Sequence, residues 1–226
     1  MSGGGTVITI DGPAGSGKTT VARMLARRLG WGLLESGSLY RAFTWILLRE
    51  APRLLESPEE TAVANFLRGI LPDLRCELGE EGLRIYFRGR RLSEELRAPE
   101  TEARVSEVAA LGAVRRLVNE ILRGLVRERD AVAEGRDMGS VVFPEARYKF
   151  YLTASPEVRA RRRYLEWKAK GLEVSEKEVL EGIKARDHKD SSRREAPLSI
   201  PEGAVVIDTS ELSPEEVLRR VLAYIE

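Results

Sequence analysis

The chain has 226 residues, of which 42% are hydrophobic and 32% are charged, so it can bury the core of one substantial domain with an insert. The formal net charge of +1 gives no global field for nucleic acid or an anionic membrane, and one cysteine excludes an internal disulfide. No apolar run approaches the ~20 residues of a membrane span, and the first residues lack the pattern of a signal peptide, so we expect a cytoplasmic protein.

The first predicted strand leads directly into a phosphate-binding loop. Residues 7–10 are largely apolar and β-branched, as in a buried parallel strand, and residues 21–29 follow an amphipathic helical pattern that ends at Gly30. Between them, residues 12–19 match G-x-x-x-x-G-K-[ST]. Glycines let backbone N–H groups approach phosphoryl oxygens, Lys18 can reach the β- and γ-phosphates, and the Thr19 hydroxyl can coordinate Mg²⁺. A chance match is the alternative, but the flanking strand and helix favour a nucleotide-phosphate site. The residues predicted to bind ATP in this loop are Gly12, Pro13, Ala14, Gly15, Ser16, Gly17, Lys18, Thr19 and Thr20.

A second polar segment follows the next predicted strand, residues 32–35. It runs from Ser36 to Arg41, and we expect a helix from Tyr40 onward with Arg41 in its first turn, where it could hold an anion. An ordinary surface arginine is the alternative. Farther on, residues 74–78, 83–88 and 91–92 are predicted as short antiparallel strands. Strand hairpins placed between helices predict an inserted subdomain at residues 60–105, which we expect to cover a second substrate.

The rest of the chain alternates predicted helices and strands. Helical patterns cover residues 98–129, with a break near Gly112, a segment that starts at Pro156, and residues 175–186 and 214–224. Apolar strands are predicted at residues 131–134, 148–152 and 204–207. This alternation predicts an α/β fold whose parallel sheet has helices on both faces. The polar motifs at 12–19, 36–41 and 135–137 all follow strand ends, where ligands of such sheets bind, so we predict that they form one site.

We expect arginine side chains to bind the anionic groups of the substrates. Arg159, Arg162 and Arg163 share one face of the helix after Pro156; a solvated face that pairs with neighbouring glutamates is the alternative. Bringing ATP to a second anionic substrate apposes negative charges, which fixed guanidinium groups offset. An acceptor that is a phosphate monoester is already ionised and needs no general base, so positioning and charge stabilisation would suffice. The one histidine, His188, lies in a polar segment, and we expect it in an exposed loop.

Several motifs together resemble those of bacterial cytidylate kinases. They are GPAGSGKTT, SGSLYR, EGRDMGSVVFPEA, RARRRY and IKARDHKDSSRREAPL. The similarity runs from Val7 to the last helix, and GRDMGSVVFP is a more specific signature than the phosphate loop. The resemblance implies a three-layer αβα P-loop fold with a five-stranded parallel core sheet. It further implies a core at residues 1–59 and 106–226, an inserted monophosphate-binding subdomain at 60–105 and a helical lid near 157–175.

The resemblance also implies an activity, the transfer of the γ-phosphoryl group of ATP to CMP or dCMP with Mg²⁺ as cofactor. Lys18 and its loop would hold the ATP phosphates, Thr19 the metal, and Arg159 and Arg162 would contact ATP from the lid. The matching catalytic residues are Lys18, Arg136, Arg186 and Arg193.

The acceptor residues implied by the resemblance fall into three groups. The acceptor phosphate or the transferring group is held at positions that correspond to Ser36, Arg41, Arg136 and Arg193. The acceptor ribose is read at positions that correspond to Arg186 and Asp190. Cytosine is read at positions that correspond to Ser106, Arg115 and Asp137, and a carboxylate such as that of Asp137 can accept from the 4-amino group that uracil lacks.

Three alternatives remain open at this point. A kinase that prefers UMP or AMP is the nearest, and a P-loop switch that binds nucleotide without acting on a small molecule comes from another class. Nucleic-acid binding through the arginine-rich helix is disfavoured, because the net charge is near zero and aromatic residues are not interleaved among those arginines. We expect a monomer whose partners are ATP and CMP or dCMP, with no nucleic-acid or membrane partner.

Overall fold

The computed structural model describes residues 5–169, 171–193 and 195–225. The strands, in chain order, are β1 (Val7–Asp11), β2 (Gly32–Glu35), β3 (Leu74–Gly79), β4 (Gly82–Phe87), β5 (Arg90–Leu92), β6 (Ala131–Glu134), β7 (Tyr148–Thr153) and β8 (Val205–Asp208). The helices are α1 (Lys18–Leu29), α2 (Ser36–Glu50), α3 (Arg53–Glu56), α4 (Glu60–Gly69), α5 (Pro99–Val108), α6 (Gly112–Leu125), α7 (Pro156–Ala169), α8 (Glu176–Ser191) and α9 (Pro214–Leu222). None of the helices in these described ranges combines the length and the hydropathy that crossing a bilayer requires.

The main sheet has five strands in the order β2-β6-β1-β7-β8. Strands β1, β7 and β8 pair in parallel, with Ile10 opposite Phe150 and Leu152 opposite Ile207. Every residue of β6 is buried, and β1 is buried from Ile8 onward. Continuous apolar burial of this kind is typical of parallel strands that are covered on both faces. The predicted α/β class with a five-stranded parallel sheet is confirmed.

A separate antiparallel sheet has the order β3-β4-β5. Cys76 pairs with Ile85, and Ile85 in turn pairs with Leu92. The second turn contains Gly89 at φ +77°, a left-handed conformation that favours glycine. The three short antiparallel strands predicted from the sequence are confirmed. That residues 60–105 act as a substrate-binding insert stays a prediction.

Two helix boundaries differ from the sequence-based prediction. Helix α2 begins at Ser36 rather than at Tyr40, because Leu39, Phe43 and Ile46 on its buried face stabilise a first turn whose own helix propensity is low. Helix α8 continues to Ser191 rather than ending at Arg186, so the prediction that His188 lies in a loop is wrong, although the residue is exposed. The break near Gly112 is confirmed, since α5 ends at Val108 and α6 begins at Gly112.

The chain divides into two compact units. We call the first the insert unit, which comprises Gly30–Ala131 and the residues before β1. We call the second the loop unit, which comprises Val7–Leu29 and the chain from Val132 onward. The predicted site residues are distributed over both units.

Candidate functional site

The phosphate loop between β1 and α1 is held in shape by its own polar groups. Gly12, Gly15 and Gly17 all have positive φ, at 142°, 79° and 88°. The Ser16 hydroxyl donates to the Pro13 carbonyl at 3.0 Å, and the Lys18 ammonium donates to the same carbonyl at 2.7 Å. The positive φ angles and these two bonds give the loop the compact shape of an anion-binding turn that leads into the N-terminus of α1.

Gly12 provides a direct test of the loop's shape. A Cβ at this position would lie 2.0 Å from the carbonyl oxygen of Leu152, and its φ is in the region that favours glycine. We expect Gly12→Ala to cost about 1–3 kcal/mol, which lowers the melting temperature by roughly 2–12 °C, and to weaken ATP binding. Gly182→Ala is the matched control, because a Cβ there meets nothing within 4 Å. Equal melting temperatures for the two variants would contradict the strained geometry.

The Lys18 ammonium lies in a strongly cationic environment inside the loop unit. Lys18 is 5% exposed, and burial lowers its pKa well below the usual value. The guanidinium groups of Arg136 and Arg186 lower that pKa further, whereas the carboxylates of Glu134 and Asp11 oppose the shift. A bound polyphosphate would add negative charge beside this ammonium and so favour its protonated form.

Asp11 is a buried carboxylate beside the phosphate loop that the sequence analysis did not single out. Its two carboxylate oxygens accept from the backbone N–H groups of Met138 and Gly139, at 2.8 and 2.7 Å. Burial raises the pKa of Asp11 to about 6, and the charge of Asp137 adds to the rise while the two backbone hydrogen bonds oppose it. The carboxylate thus anchors the segment after β6 to the end of β1. A carboxylate at the end of an apolar strand, directly before a phosphate loop, was the signal available in the sequence.

The raised pKa of Asp11 predicts a specific pH dependence of stability. Between pH 3.8 and 6 the native state holds a proton on Asp11 that the unfolded state releases, so this contribution to stability is lost as the pH rises. Asp11→Asn removes that loss. We expect the unfolding free energy of the variant, relative to the wild type, to rise by about 2 kcal/mol between pH 4.5 and 7 in urea titrations. Asp208→Asn is the control and should show no such rise, because hydrogen bonds from Ser210 lower the pKa of Asp208.

Asp190 forms ion pairs with two of the predicted arginines of the loop unit. Arg136 Nε donates to one Asp190 carboxylate oxygen at 2.9 Å, and Arg193 pairs with the other. Burial alone would raise the pKa of Asp190, but Arg136, Arg193 and Arg186 outweigh it and hold the pKa below its usual value. We call Arg136, Arg186 and Arg193 with Asp190 the arginine cluster. Asp137 is 2% exposed and adjoins this cluster in the chain.

Helix α7 borders a cavity beside the phosphate loop. The cavity has a volume of about 460 Å³, a size suited to a nucleoside. Its polar side includes Lys18, Thr19 and Thr20, and its apolar side includes Leu212 and Val217. Arg162 also lines the cavity, and its guanidinium donates to Thr209 Oγ1 at 3.0 Å and to the Thr209 carbonyl at 2.5 Å. The Thr209 hydroxyl in turn donates to Ser16 O at 3.1 Å. Thr209 is a second residue that the sequence analysis missed.

Arg159, the other predicted ATP ligand of α7, is buried with its guanidinium engaged by protein groups. It is 3% exposed and donates to the carbonyls of Ala154 and Ala14 at 2.9 and 3.1 Å. It also forms two hydrogen bonds with the carboxylate of Asp187, at 3.0 and 2.6 Å. Direct contact of Arg159 with ATP stays a prediction.

The insert unit holds the other predicted acceptor residues. Ser36 is buried at the start of α2, and the Arg41 guanidinium donates to Glu102 Oε1 of α5 at 2.6 Å. A Cβ on Gly37 would lie 2.8 Å from Arg41 Nη1, so glycine leaves room for this guanidinium over the first turn of α2. The start of α2 therefore combines backbone donors with a fixed cation.

Arg115 and Ser106 lie in the same unit, on α6 and α5. Arg115 is 3% exposed, donates to the Ala109 carbonyl at 2.9 Å and lies 5.5 Å from the ring centroid of Tyr40. Ser106 is half-buried. Arg115 is thus held rigidly by a carbonyl and an aromatic ring, which suits a residue that reads the shape of a planar base.

The side chains of the phosphate loop fit a magnesium ion that is bound mainly through the nucleotide. Thr19, whose hydroxyl group is a possible metal ligand, is one of the residues that line the cavity. Residues 5–169, 171–193 and 195–225 contain no group of three or more histidine, cysteine or acidic side chains that could enclose a metal ion. Mg²⁺ usually keeps several waters and takes few protein ligands beside substrate phosphates, which agrees with a single hydroxyl ligand.

Comparison with known proteins agrees with these features. A family model described as cytidylate kinase matches residues 8–226. A cytidylate kinase of Caldanaerobacter subterraneus subsp. tengcongensis is 45% identical over 95% of this chain and 92% of its own length. Cytidylate kinases of Pseudomonas aeruginosa and Carboxydothermus hydrogenoformans are each 41% identical, the first over 100% of this chain and 97% of its own length, the second over 96% of both. With a phosphate loop, a cationic cluster beside it and this similarity along nearly its whole length, the chain belongs to the cytidylate kinase family.

Proposed function

We propose that the chain transfers the γ-phosphoryl group of ATP to CMP and dCMP, giving ADP with CDP or dCDP. The observation that carries the proposal is the buried ammonium of Lys18, which donates to the Pro13 carbonyl inside the phosphate loop and whose pKa is lowered by burial and by the charges of Arg136 and Arg186. Family membership supports the same reaction.

ATP binds to the loop unit in this proposal. The residues 12–20 hold its phosphates through backbone N–H groups and Lys18, and the cavity lined by Arg162 and Leu212 takes the nucleoside. Thr19 holds Mg²⁺, which when bound neutralises charge on the β- and γ-phosphate oxygens. Arg162 is fixed by Thr209, so its planar guanidinium is already oriented for stacking against a base.

The acceptor ligands that family membership implies are kept in this proposal. They are Ser36 and Arg41 in the insert unit, and Arg136 and Arg193 of the arginine cluster in the loop unit. Asp190 orients Arg136 and, with Arg186, reads the ribose. Arg41 pairs with Glu102, and Arg136 pairs with Asp190. In this proposal these ion pairs orient the two guanidinium groups before the acceptor phosphate binds.

The chemistry requires no general base. The acceptor oxygen of CMP is ionised at neutral pH and attacks the γ-phosphorus in line, while the bond from that phosphorus to the β–γ bridging oxygen breaks and leaves ADP. Lys18 and the arginine cluster stabilise the negative charge that is shared by the two substrates in the transition state. Closure of the predicted lid near residues 157–175 excludes water, which would otherwise accept the phosphoryl group.

In this proposal Asp137 of the loop unit reads the base, and Ser106 and Arg115 of the insert unit are the further candidate base readers. The buried carboxylate of Asp137 accepts from the cytosine 4-amino group, and a uracil oxygen at that position would repel it. We also infer that the protein is cytoplasmic and has no nucleic-acid partner, supported by its single cysteine and its net charge of +1. That it is a monomer stays a prediction. Size-exclusion chromatography with light scattering tests the monomer.

Steady-state rates with four acceptors test the function. With ATP and Mg²⁺ present, CMP and dCMP should give the highest kcat/KM values for ADP release, with UMP and AMP well below them. UMP turning over faster than CMP would reject the assignment. No stimulation of ADP release by any monophosphate would favour a nucleotide-binding switch instead.

A further inference from the structure

One buried guanidinium in the loop unit joins three segments of the chain. Arg159 of α7 donates through Nε to Ala154 O at the end of β7, and through Nη1 to Ala14 O in the phosphate loop. Its Nη1 and Nη2 atoms form a forked pair with the carboxylate of Asp187 in α8. These four hydrogen bonds use four of the five N–H groups of the guanidinium, which leaves little donor capacity for a phosphate.

A backbone contact independently fixes α7 against the phosphate loop. A Cβ on Gly15 would lie 3.0 Å from Arg159 Cβ and 3.1 Å from Arg159 O. Gly15 also has φ +79°, so the loop turns exactly where the helix approaches it most closely. The phosphate loop therefore packs against the first turns of α7 at Gly15, and the Arg159 guanidinium binds the carbonyl of the preceding residue, Ala14.

The Asp187 end of this link leads to the arginine cluster. Asp187 directly follows Arg186, and it lies three residues before Asp190 on the same side of α8. Asp190 in turn accepts from Arg136. A rotation of α8 about its axis would move Arg186, whose charge acts on the Lys18 ammonium, and Asp190 at the same time. The forked pair opposes that rotation.

We propose that Arg159 is a positioning residue that, with Asp187, sets the distance between the phosphate loop and the arginine cluster, so that donor and acceptor phosphates meet in line. The inference rests on the proposed function. It replaces direct contact of Arg159 with ATP by an action through Ala14 and Asp187, and it adds Asp187 to the residues on which turnover depends.

A second ion pair between the same helices provides the control. Arg161 of α7 pairs with Glu176 of α8 at 2.8 Å, but their side chains are 62% and 42% exposed. The side chains of the Arg159–Asp187 pair are 4% and 24% exposed. If turnover required only some ion pair between α7 and α8, removing either pair would lower kcat by a similar factor. The positioning role predicts that they differ.

The test is a double-variant cycle on the full chain with Arg159→Lys and Asp187→Asn. We expect each single variant, and the double variant, to lower kcat by the same factor of about 10- to 100-fold, because each breaks the same link. The dissociation constant of ATP, measured by titration calorimetry without CMP, should change less than about 3-fold. Arg161→Ala should keep the wild-type kcat. If the wild type itself shows no CMP kinase activity, the proposed function is contradicted instead.

Three other results would overturn the positioning role. The first is an ATP dissociation constant raised 10-fold or more by Arg159→Lys while Asp187→Asn behaves as wild type, since Arg159 would then contact ATP. The second is additive losses in the double variant, and the third is an unchanged kcat. If a single variant fails to fold, Arg159→Met with Asp187→Leu removes both charges together. Wild-type kcat in that folded pair would equally overturn the proposal, and a kcat lowered 10-fold or more with unchanged ATP affinity would support it.

Discussion

Lys18→Ala is expected to lower kcat by about 10²- to 10³-fold or more with both CMP and dCMP, the largest effect of any single change in this chain. The ammonium is buried in the phosphate loop, and Arg136 and Arg186 act on its pKa, so its removal takes away a preorganised cation of the loop. The measurement is steady-state ADP release at saturating ATP and CMP.

Lys18→Ala should not lower the thermal stability of the protein, although it lowers kcat. Burial lowers the pKa of Lys18, so the folded protein without nucleotide holds its charge at a cost. We therefore expect the melting temperature of Lys18→Ala without nucleotide to equal or exceed that of the wild type. Lys177→Ala, at an exposed position of α8, is the control for loss of one lysine. A variant that melts early and turns over normally once corrected for folded fraction would contradict the role of Lys18.

Asp137→Ala is expected to reduce the preference for CMP over UMP by about 10- to 100-fold in kcat/KM. The buried carboxylate supplies an acceptor for the cytosine 4-amino group, and one such contact discriminates between bases by about 1–3 kcal/mol. The ratio should fall mainly because CMP becomes a poorer substrate and UMP a better one. Parallel rate measurements with both acceptors check this.

The control for Asp137 is Glu211→Ala, which removes one exposed carboxylate from the same unit. It should leave the CMP to UMP ratio unchanged. An unchanged ratio for Asp137→Ala as well would show that the base is read elsewhere, for example by Arg115 and Ser106. Equal losses with CMP and UMP would mean that Asp137 acts on the shape of the site through Asp11, whose pKa it raises.

Features that depend on neighbouring residues were predictable from the sequence. The phosphate loop lies within residues 12–19, and its glycines, lysine and threonine predict a phosphate-binding turn because that turn depends only on local backbone geometry. The hairpins of β3, β4 and β5 and the break between α5 and α6 follow from turn residues a few positions apart. The fold class followed from the alternation of strand and helix patterns.

The start of α2 and the end of α8 were not predictable in this way. Ser36 and Gly37 have weak helix propensity, and only the burial of the apolar face beyond them makes the first turn helical. The polar end of α8 is held by ion pairs of Asp187 and Asp190 with arginines 28 and 54 positions away. Propensity within a short window contains no information about such partners.

The nucleotide-binding loop and the parallel sheet could be predicted before folding was considered, because each depends on a run of adjacent residues. Which charges are buried, and what they contact, follows from the folded chain alone: Asp11 accepts from amide groups 127 and 128 positions away, and Arg159 donates to Ala14 and Asp187, 145 and 28 positions away. A buried polar group needs a hydrogen-bond partner, and folding brings that partner to it from any distance along the chain.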